Sequence, residues 1–350
     1  MMSLGACSRL TINRSALREN YRFLKSKVGA GCDVASVVKA DGYGLGIDMV
    51  VPAFEEAGCT FFYVAQLEEA MILRSLTPHK IAVLGGLPAG CEKEFKHLNL
   101  IPVLNTPDEV ARCPDDIKSI WHIDTGMNRL GLDPENVPEL LKSRPAPLSL
   151  MTHFSSSDEP DQTPSRKQVE LFDSVAPKSI PHSLCNSAGI FRDASWHRQQ
   201  VRAGLALYGP NPTPETINPM RPVVDLSARI LQTKTAKAGS TVGYNRTHTF
   251  ERDTQIAVLG IGYADGFHRA GSNKSVLYWN GVACPLVGRV SMDLVAVDLS
   301  PVAANPPHEG DWMEIIGPHQ DADQLAASWN TIGYEVLTSL GGRAERVIIS

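Results

Sequence analysis

The stretch that decides the fold is residues 33–46, which read DVASVVKADGYGLG. Its first six residues form an apolar run typical of a strand that is buried on both faces. Lys39 ends this run, and a glycine-rich segment follows it. A buried strand that leads through a polar residue into a glycine-rich turn predicts the first strand–helix unit of an α/β fold. In such units reactive side chains stand at the carboxyl end of the strand.

Seven further short apolar runs repeat this pattern up to residue 206, with amphipathic helical segments between them. The runs cover residues 61–65, 81–84, 101–104, 120–123, 148–152, 182–185 and 201–206. Eight buried strands alternating with helices predict a (β/α)8 barrel of the TIM type. The alternative is an open doubly wound sheet, although residues 39–46 lack the G-x-G-x-x-G spacing of a dinucleotide-binding turn.

The sequence pattern changes after a proline-rich stretch, residues 210–222, which contains five prolines. Proline at this density stops helices and central strands, so we place a domain boundary there. Beyond it, Asn280-Gly281 lies between two β-type runs, which is a strong hairpin signal. We therefore predict a barrel over residues 9–222 and a mostly β domain over residues 223–350.

Composition excludes several classes of protein. The 350 residues include 33 Lys and Arg against 38 Asp and Glu, a net charge of −5 that argues against nucleic acid or an anionic membrane as partner. No apolar run approaches the roughly 20 residues that a membrane span needs, and the first ten residues lack a signal-peptide pattern. The seven scattered cysteines form no C-x-x-C pair, so we expect reduced thiols, no metal site and a cytoplasmic location.

The ends of the predicted strands carry the residues with chemical potential. In a TIM-type barrel these ends form the active face. Lys39 follows a run that should be buried, and desolvation lowers the pKa of a lysine and makes its amine a nucleophile or base. The plain alternative is a lysine that ends a strand and points into water. A reactive lysine beside a phosphate site is the arrangement that pyridoxal phosphate needs. The other strand-end residues are Asp124 with Arg129, His153, Asn186 with Ser187, and Arg202 with Gly204 and Leu205.

The segment VVKADGYG at residues 37–44 resembles the pyridoxal-phosphate attachment motif of alanine racemases. Further blocks agree with that family in order along almost the whole chain. They are HIDTGMNRLG at 122–131, THF at 152–154, NSA at 186–188, VRAG at 201–204, YG at 208–209, GYADG at 262–266, GRVSMD at 288–293 and GYEV at 333–336. The family is a (β/α)8 barrel followed by a β domain, as the strand pattern also predicts.

The resemblance implies a role for each matching residue. Lys39 would bind pyridoxal 5′-phosphate covalently and act as the base toward D-alanine, and Tyr263 from the second subunit of a homodimer would act toward L-alanine. Arg129 and the backbone amide of Met292 would bind the substrate carboxylate. Tyr43, Ser187, Gly204, Leu205 and Tyr334 would hold the cofactor phosphate, Arg202 would face the pyridine nitrogen, His153 would link Arg202 to Tyr263, and Asn186 would complete the cofactor site.

These residue types suit racemisation. Inverting an α-carbon requires a base on one face and an acid on the other, and one residue cannot easily do both. The implied activity is the interconversion of L- and D-alanine. It would supply D-alanine for peptidoglycan or serve alanine catabolism, and the sequence favours neither.

One position departs from many family members. Two residues before Asp124 these carry a lysine that becomes carbamylated, and its negative charge orients the arginine that corresponds to Arg129. Here that position is His122. Histidine supplies no anion, so we expect the activity to be independent of CO2 and bicarbonate.

Three other functions are compatible with parts of this pattern. A racemase of broader specificity, for serine or lysine, would use the same fold and bases. A decarboxylase of the same architecture would carry a glycine-rich phosphate loop and a cysteine-aspartate pair in the β domain, and neither is found. A non-enzymatic carrier of pyridoxal phosphate would have a single barrel without the second domain.

Overall fold

The computed structural model describes residues 5–350, which form two compact units. One unit comprises residues 16–221, and the other comprises residues 222–350 together with the N-terminal segment up to Ser15. In chain order the strands are β1 (Ser8–Asn13), β2 (Asp33–Val37), β3 (Phe61–Val64), β4 (Lys80–Val83), β5 (Leu100–Leu104), β6 (Ile120–His122), β7 (Ser149–Met151), β8 (His182–Ser183), β9 (Gln200–Ala203), β10 (Val224–Ala236), β11 (Thr241–Val242), β12 (His248–Thr249), β13 (Thr254–Leu259), β14 (Val276–Trp279), β15 (Val282–Pro285), β16 (Val295–Asp298), β17 (Trp312–Ile316) and β18 (Glu345–Ile349).

Nine right-handed α-helices accompany these strands in the described residues. They are α1 (Arg14–Lys27), α2 (Ile47–Glu56), α3 (Leu67–Leu76), α4 (Glu92–His97), α5 (Pro107–Arg112), α6 (Val137–Ser143), α7 (Thr163–Val175), α8 (Ala322–Trp329) and α9 (Gly333–Ser339). The start of α5 is the one expected from sequence, because the Thr106 hydroxyl accepts a hydrogen bond from the Glu109 amide at 3.1 Å and Pro107 opens the helix.

The first unit is a closed barrel of the eight parallel strands β2 to β9, each paired with the next and β9 paired with β2. The predicted (β/α)8 fold class is therefore confirmed, and the alternative of an open doubly wound sheet is wrong. Each of the eight runs proposed as strands overlaps one strand of the barrel. Most of these strands are buried at every position because they face side chains inside the barrel and helices outside it.

The last predicted run, residues 201–206, extends three residues beyond its strand. β9 ends at Ala203, and residues 205–208 turn into a 3-10 helix. The amides of Gly204 and Ala206 donate to the Ser187 hydroxyl at 2.9 and 3.2 Å and do not extend the strand ladder. The chain leaves the barrel wall at the residues expected to hold a phosphate.

The second unit is dominated by an eight-stranded sheet with the order β15-β14-β17-β10-β1-β18, to which β13 and β16 are attached through β10. The predicted hairpin at Asn280-Gly281 is present, and both residues have positive φ, 48° and 81°, as a tight hairpin turn requires. The boundaries differ from expectation at the N-terminus. We placed residues 9–13 with the barrel, but β1 pairs with β10 and β18.

Two features bear on membranes and metals. Over the described range, the helices include none with the length and apolar character of a membrane span. The same residues contain no cluster of three His, Cys, Asp or Glu side chains arranged to hold a metal ion.

Candidate active site

Lys39 lies two residues after the end of the first barrel strand, β2, and its side chain is partly buried. Burial lowers the pKa of the Lys39 amine from its ordinary value, and the nearby charge of Arg129 lowers it further. The carboxylate of Glu69 acts in the opposite direction. The net lowering makes the unprotonated amine, the form that acts as nucleophile or base, easier to reach than in a free lysine.

The backbone after Lys39 forms a left-handed turn, since Ala40, Asp41, Gly42 and Tyr43 have φ values of 54°, 53°, 63° and 56°. For residues with a side chain this conformation costs ~1–2 kcal/mol each, so surrounding contacts must hold it. Gly44 N donates to Ala40 O at 2.8 Å, and the amide of Ile47 donates to the Asp41 carboxylate at 2.8 Å. The sequence did not predict this turn.

The turn brings the Tyr43 hydroxyl to Gly204, where β9 ends. A Cβ atom at Gly204 would collide with this hydroxyl, so a larger residue there would displace the Tyr43 side chain. The Tyr43 ring stacks on Tyr208 with centroids 4.4 Å apart. Beside them, the buried Ser187 oxygen accepts from the amides of Gly204 and Ala206, which leaves the hydroxyl proton to be donated. This group can therefore bind an anion.

Arg202 is buried in the barrel wall, with its side chain donating to the ends of two strands. Nη1 donates to Ser183 O at 2.8 Å, and Nη2 donates to Thr152 O at 2.6 Å. Nη2 also lies 3.4 Å from Nδ1 of His153. Burial lowers the pKa of Arg202, although a guanidinium is basic enough to keep its proton.

His153 is neutral in this environment. Burial and then the charge of Arg202 hold its pKa well below the usual range, with smaller contributions from neighbouring His122, Arg129 and Lys39. Because Arg202 donates toward Nδ1, the ring proton belongs on Nε2. The pair predicted from sequence, Arg202 beside His153, is therefore in contact.

His122 is buried at the end of β6, and its side chain is hydrogen-bonded to that of Asn105. The two side chains meet through Nδ1 of His122 and Oδ1 of Asn105 at 2.9 Å. The amide nitrogen of Asn105 donates to the carbonyls of Val103 and Leu84, which fixes its oxygen as acceptor and His122 Nδ1 as donor. Nε2 of His122 is then a buried acceptor that has no hydrogen-bond partner.

This environment keeps His122 uncharged. Burial, followed by the charge of Arg202, lowers the pKa of His122 to about 4, and Arg129 adds to that shift while Asp124 opposes it. His122 therefore carries no positive charge near neutral pH and, like any histidine, supplies no anion.

Arg129 lies exposed on the loop after β6, near enough to affect Lys39, His122 and His153 electrostatically. Oδ1 of Asp124 shapes this loop by accepting from the amides of Gly126 and Asn128 at 2.9 and 3.1 Å. Arg129 thus belongs to the group of basic residues at the carboxyl ends of the strands.

Two predicted cofactor residues have visible packing functions. Oδ1 of Asn186 accepts from the Ser157 hydroxyl at 2.8 Å and the Gly189 amide at 3.0 Å, which fixes the loop after β8. Leu205 is buried and begins the 3-10 helix after Gly204. Both residues adjoin Ser187 or Gly204 in the chain.

The other predicted residues lie in the second unit, where Tyr263 and Met292 are brought together. The amides of Tyr263 and Ala264 donate to the carbonyls of Ser291 and Met292 at 3.1 and 3.0 Å. A Cβ atom at Gly262 would collide with the same carbonyls, so the close approach requires glycine. The side chains remain accessible in this chain, with 45% of Tyr263 and 53% of Met292 exposed.

Tyr334 lies in helix α9 of the same unit and is 39% exposed. In the same unit, the buried Asp265 accepts a hydrogen bond from the Gly262 amide at 2.9 Å and forms an ion pair with Arg343 at 3.3 Å. Arg343 also donates to Asp293 at 2.8 Å. These contacts fix the segments that carry Tyr263 and Met292.

Sequence reasoning missed two residues that contact this site, Glu69 and Asn105. Glu69 accepts from the amide of Ala40, immediately after Lys39, at 2.6 Å. A signal for Glu69 was present, since Gln66 and Glu69 form a capping box at the start of α3. Nothing in the sequence pairs Asn105 with His122.

Comparison with known proteins agrees with this arrangement. The family model for the alanine racemase N-terminal domain matches residues 12–212, and the model for the alanine racemase C-terminal domain matches residues 223–348. The alanine racemase of Rhodospirillum rubrum is 41% identical over 97% of this chain and 96% of its own length. The catabolic alanine racemase of Agrobacterium fabrum is 39% identical over 99% of this chain and 93% of its own.

A solved structure is similar as well. The crystal structure of alanine racemase from Bartonella henselae, with covalently bound pyridoxal phosphate, has a TM-score of 0.93 and 35% identity. The match covers 99% of this chain and all of that one. Two family models together spanning most of the chain, and relatives near 40% identity over nearly its whole length, establish that this chain belongs to the alanine racemase family.

Proposed function

We propose that this protein interconverts L-alanine and D-alanine, with pyridoxal 5′-phosphate bound covalently to Lys39. The observation that carries the proposal is the position of Lys39 at the carboxyl end of a barrel strand, within electrostatic range of Arg129 and beside the turn that reaches Gly204. The barrel supplies a partly buried amine and the residues to hold an anion around it. The domain boundary predicted between residues 222 and 223 and the cytoplasmic location remain predictions.

The residues in the barrel fit this cofactor. The Ser187 hydroxyl has its proton available, and Gly204 leaves room beside the Tyr43 hydroxyl that a side chain would fill. Leu205 and Asn186 belong to the same two loops, and we assign the phosphate to this group, with Tyr334 as a further contact. Arg202, which cannot readily give up its proton, would face the pyridine nitrogen. When bound, pyridoxal phosphate withdraws electrons from the α-carbon and makes its proton acidic.

The proton transfers belong to two side chains. Nζ of Lys39 takes the α-proton of D-alanine, and the phenol oxygen of Tyr263 takes that of L-alanine. Each residue returns a proton in the opposite direction, so the products are enantiomers of equal free energy. His153 would connect Arg202 to this tyrosine.

The substrate carboxylate needs cationic or amide donors. We assign it to the guanidinium of Arg129 and the backbone amide of Met292. Arg129 supports this role because it is exposed among other basic groups and its loop is fixed by Asp124. A carboxylate held at two points presents its α-carbon in one orientation, which proton transfer on opposite faces requires.

We further propose that the working form is a homodimer in which Tyr263 and Met292 of one copy act on substrate held by the barrel of the other. Both side chains are about half exposed in the single chain, in a segment that is well fixed by hydrogen bonds. Fixed, exposed side chains are suited to completing a site on another copy.

The test follows the α-proton of L-alanine in D2O in the presence of the protein and pyridoxal phosphate. We expect deuterium at the α-carbon and D-configured product, measured together by NMR and chiral chromatography. Lys39→Ala should abolish both signals, because the covalent attachment and one of the two bases are removed.

Three results would contradict the two-base assignment, the substrate or the enzymatic function. Exchange with fully retained L configuration would mean that one residue works alone. No exchange with alanine, but racemisation of serine or lysine, would indicate the broader specificity considered above, and no exchange with any amino acid would favour a carrier of pyridoxal phosphate.

Active-site sharing can be tested by mixing two inactive variants, Lys39→Ala and Tyr263→Phe. In mixed dimers one site combines both substitutions and the other has both native residues. Random reassortment should therefore restore about a quarter of the wild-type activity. A mixture as inactive as its components, with subunit exchange verified by mass spectrometry, would mean that Lys39 and Tyr263 come from the same copy.

The neutral His122 predicts no response to bicarbonate. Because no lysine stands at this position to be carbamylated, the racemisation rate in CO2-free buffer should equal that in bicarbonate buffer of the same pH and ionic strength. A rate increase specific to bicarbonate, absent with chloride, would show that an added anion is needed near Arg129.

His122 also predicts a pH dependence of stability. Its pKa of about 4 in the folded protein lies below the ordinary value of about 6.5, so the unfolded chain binds more protons between these values. The contribution of His122 to the free energy of unfolding is therefore fully present above about pH 6.5 and falls as the pH drops toward 4. By this linkage His122 contributes about 2 kcal/mol of the loss between pH 8 and pH 5.

The variant His122→Gln should lose less stability than wild type over this interval, measured by urea unfolding at both pH values. His97→Gln, at an exposed position, is the matched control and should follow wild type. Burial lowers the pKa of His153 and His182 as well, so part of the pH dependence will persist. Identical losses in wild type and His122→Gln would rule out His122 as a source.

A further inference from the structure

Glu69 joins two parts of the barrel through its two carboxylate oxygens. Oε2 accepts from the amides of Ala65 and Gln66 at 2.7 and 3.2 Å and so caps helix α3. Oε1 accepts from the amide of Ala40 at 2.6 Å. That amide belongs to the peptide bond between Lys39 and Ala40, so Glu69 fixes the backbone at the lysine itself.

The Ala40 amide needs such an acceptor. It stands at the start of the left-handed turn of residues 40–43, and the first amides of any helical turn have no acceptor within the turn. The later bonds of the turn are internal, such as Gly44 N to Ala40 O. Glu69 therefore anchors the end of the turn that carries Lys39, from the neighbouring strand–helix unit.

A second glutamate of the barrel also binds amides of two separate segments, and it provides a comparison. Glu109 at the start of α5 accepts from the Asn105 amide at 2.6 Å with one oxygen and from the Leu87 amide at 3.1 Å with the other. Both glutamates stand at the third position of a helix and hold the segment before it. They differ in the amide that the other oxygen binds. Glu69 binds the Ala40 amide next to Lys39, whereas Glu109 binds the Leu87 amide, in a loop that carries no predicted site residue.

We propose that Glu69 is a positioning residue for Lys39, holding the Lys39–Ala40 peptide so that the strained turn directs the amine toward cofactor and substrate. This inference rests on the proposed function in taking Lys39 as the residue that binds pyridoxal phosphate and moves the proton. Glu69 touches neither the cofactor nor the α-carbon, and it acts through the backbone.

The charge of Glu69 acts on the same amine. Its carboxylate raises the pKa of Lys39 against burial and Arg129, which both lower it. Glu69 therefore has two separable effects, one geometric and one electrostatic. A charge-removing and a charge-retaining substitution can distinguish them.

The test measures how fast Lys39 of the cofactor-free full-length protein takes up pyridoxal phosphate across a pH range. Attachment is trapped with borohydride and quantified on the Lys39 peptide by mass spectrometry. The plateau at high pH reports the geometry of the unprotonated amine, and the midpoint of the profile reports its pKa. The variants are Glu69→Gln and Glu69→Asp, with Glu109→Gln as the matched control.

For Glu69→Gln we expect the plateau to fall about tenfold, the effect of losing one charge-assisted hydrogen bond, and the midpoint to move to lower pH. Glu69→Asp keeps the charge but shortens the reach, so its plateau should fall while its midpoint stays. Glu109→Gln should lose thermal stability, because Glu109 also holds amides of two loop segments, yet keep the wild-type profile.

Deuterium isotope effects give an independent measure. In Glu69→Gln the effect with α-deuterated D-alanine should increase, because the proton transfer to Lys39 becomes slower, while that with α-deuterated L-alanine should not. Glu69→Asp serves the same purpose if Glu69→Gln does not fold.

Profiles and isotope effects of the Glu69 variants that match those of Glu109→Gln would overturn the proposal and leave Glu69 as a helix cap. This outcome is distinct from failure of the proposed function. If the proposed function were wrong, the wild-type protein itself would fail to racemise alanine, whatever the Glu69 variants do.

Discussion

Closure of the barrel by pairing β2 with β9 is the constraint on which the site depends. The register pairs Ala35 with Arg202 and Ser36 with Ala203. It places Val37, two residues before Lys39, beside Gly204 at the end of the other strand. The left-handed turn after Lys39 then needs to return only as far as Tyr43 to reach Gly204. A shift of one residue in this register would turn Arg202 to the opposite face of the barrel wall.

Electrostatics at this end of the barrel follow from crowding basic groups in a partly buried space. A guanidinium keeps its charge in a protein. Burial lowers the pKa of Lys39, His122 and His153. The charge of Arg129 lowers all three pKa values further, and the charge of Arg202 lowers those of the two histidines. The same field that keeps the histidines neutral attracts an anionic ligand. Binding of a phosphate or carboxylate would relieve the repulsion, so ligand affinity and the basicity of Lys39 are coupled.

The sequence predicts the features that are local in the chain. Strand runs, the Thr106 cap and the Asn280-Gly281 turn depend on neighbouring residues, and so does the place of Lys39 at a strand end. Features that depend on contacts far apart in sequence were missed or misplaced. Glu69 meets Ala40 across 29 positions, His122 meets Asn105 across 17, and β1 joins β10 and β18 in the sheet of the other unit. The left-handed turn was also missed, because three of its four residues are ordinary L-residues that rarely adopt positive φ.

The two proposed bases are built to different degrees within a single chain. Lys39 is partly buried, and its turn is held by hydrogen bonds from inside and outside it, so in the single, ligand-free chain its basicity is set by groups of the barrel. Tyr263 has a fixed backbone but an exposed ring, so its surroundings are set by whatever covers that surface. If a second copy covers it, the ring would meet its final neighbours only after assembly. A racemase built in this way would complete the surroundings of its second base only as an oligomer, since an isolated chain leaves that ring exposed.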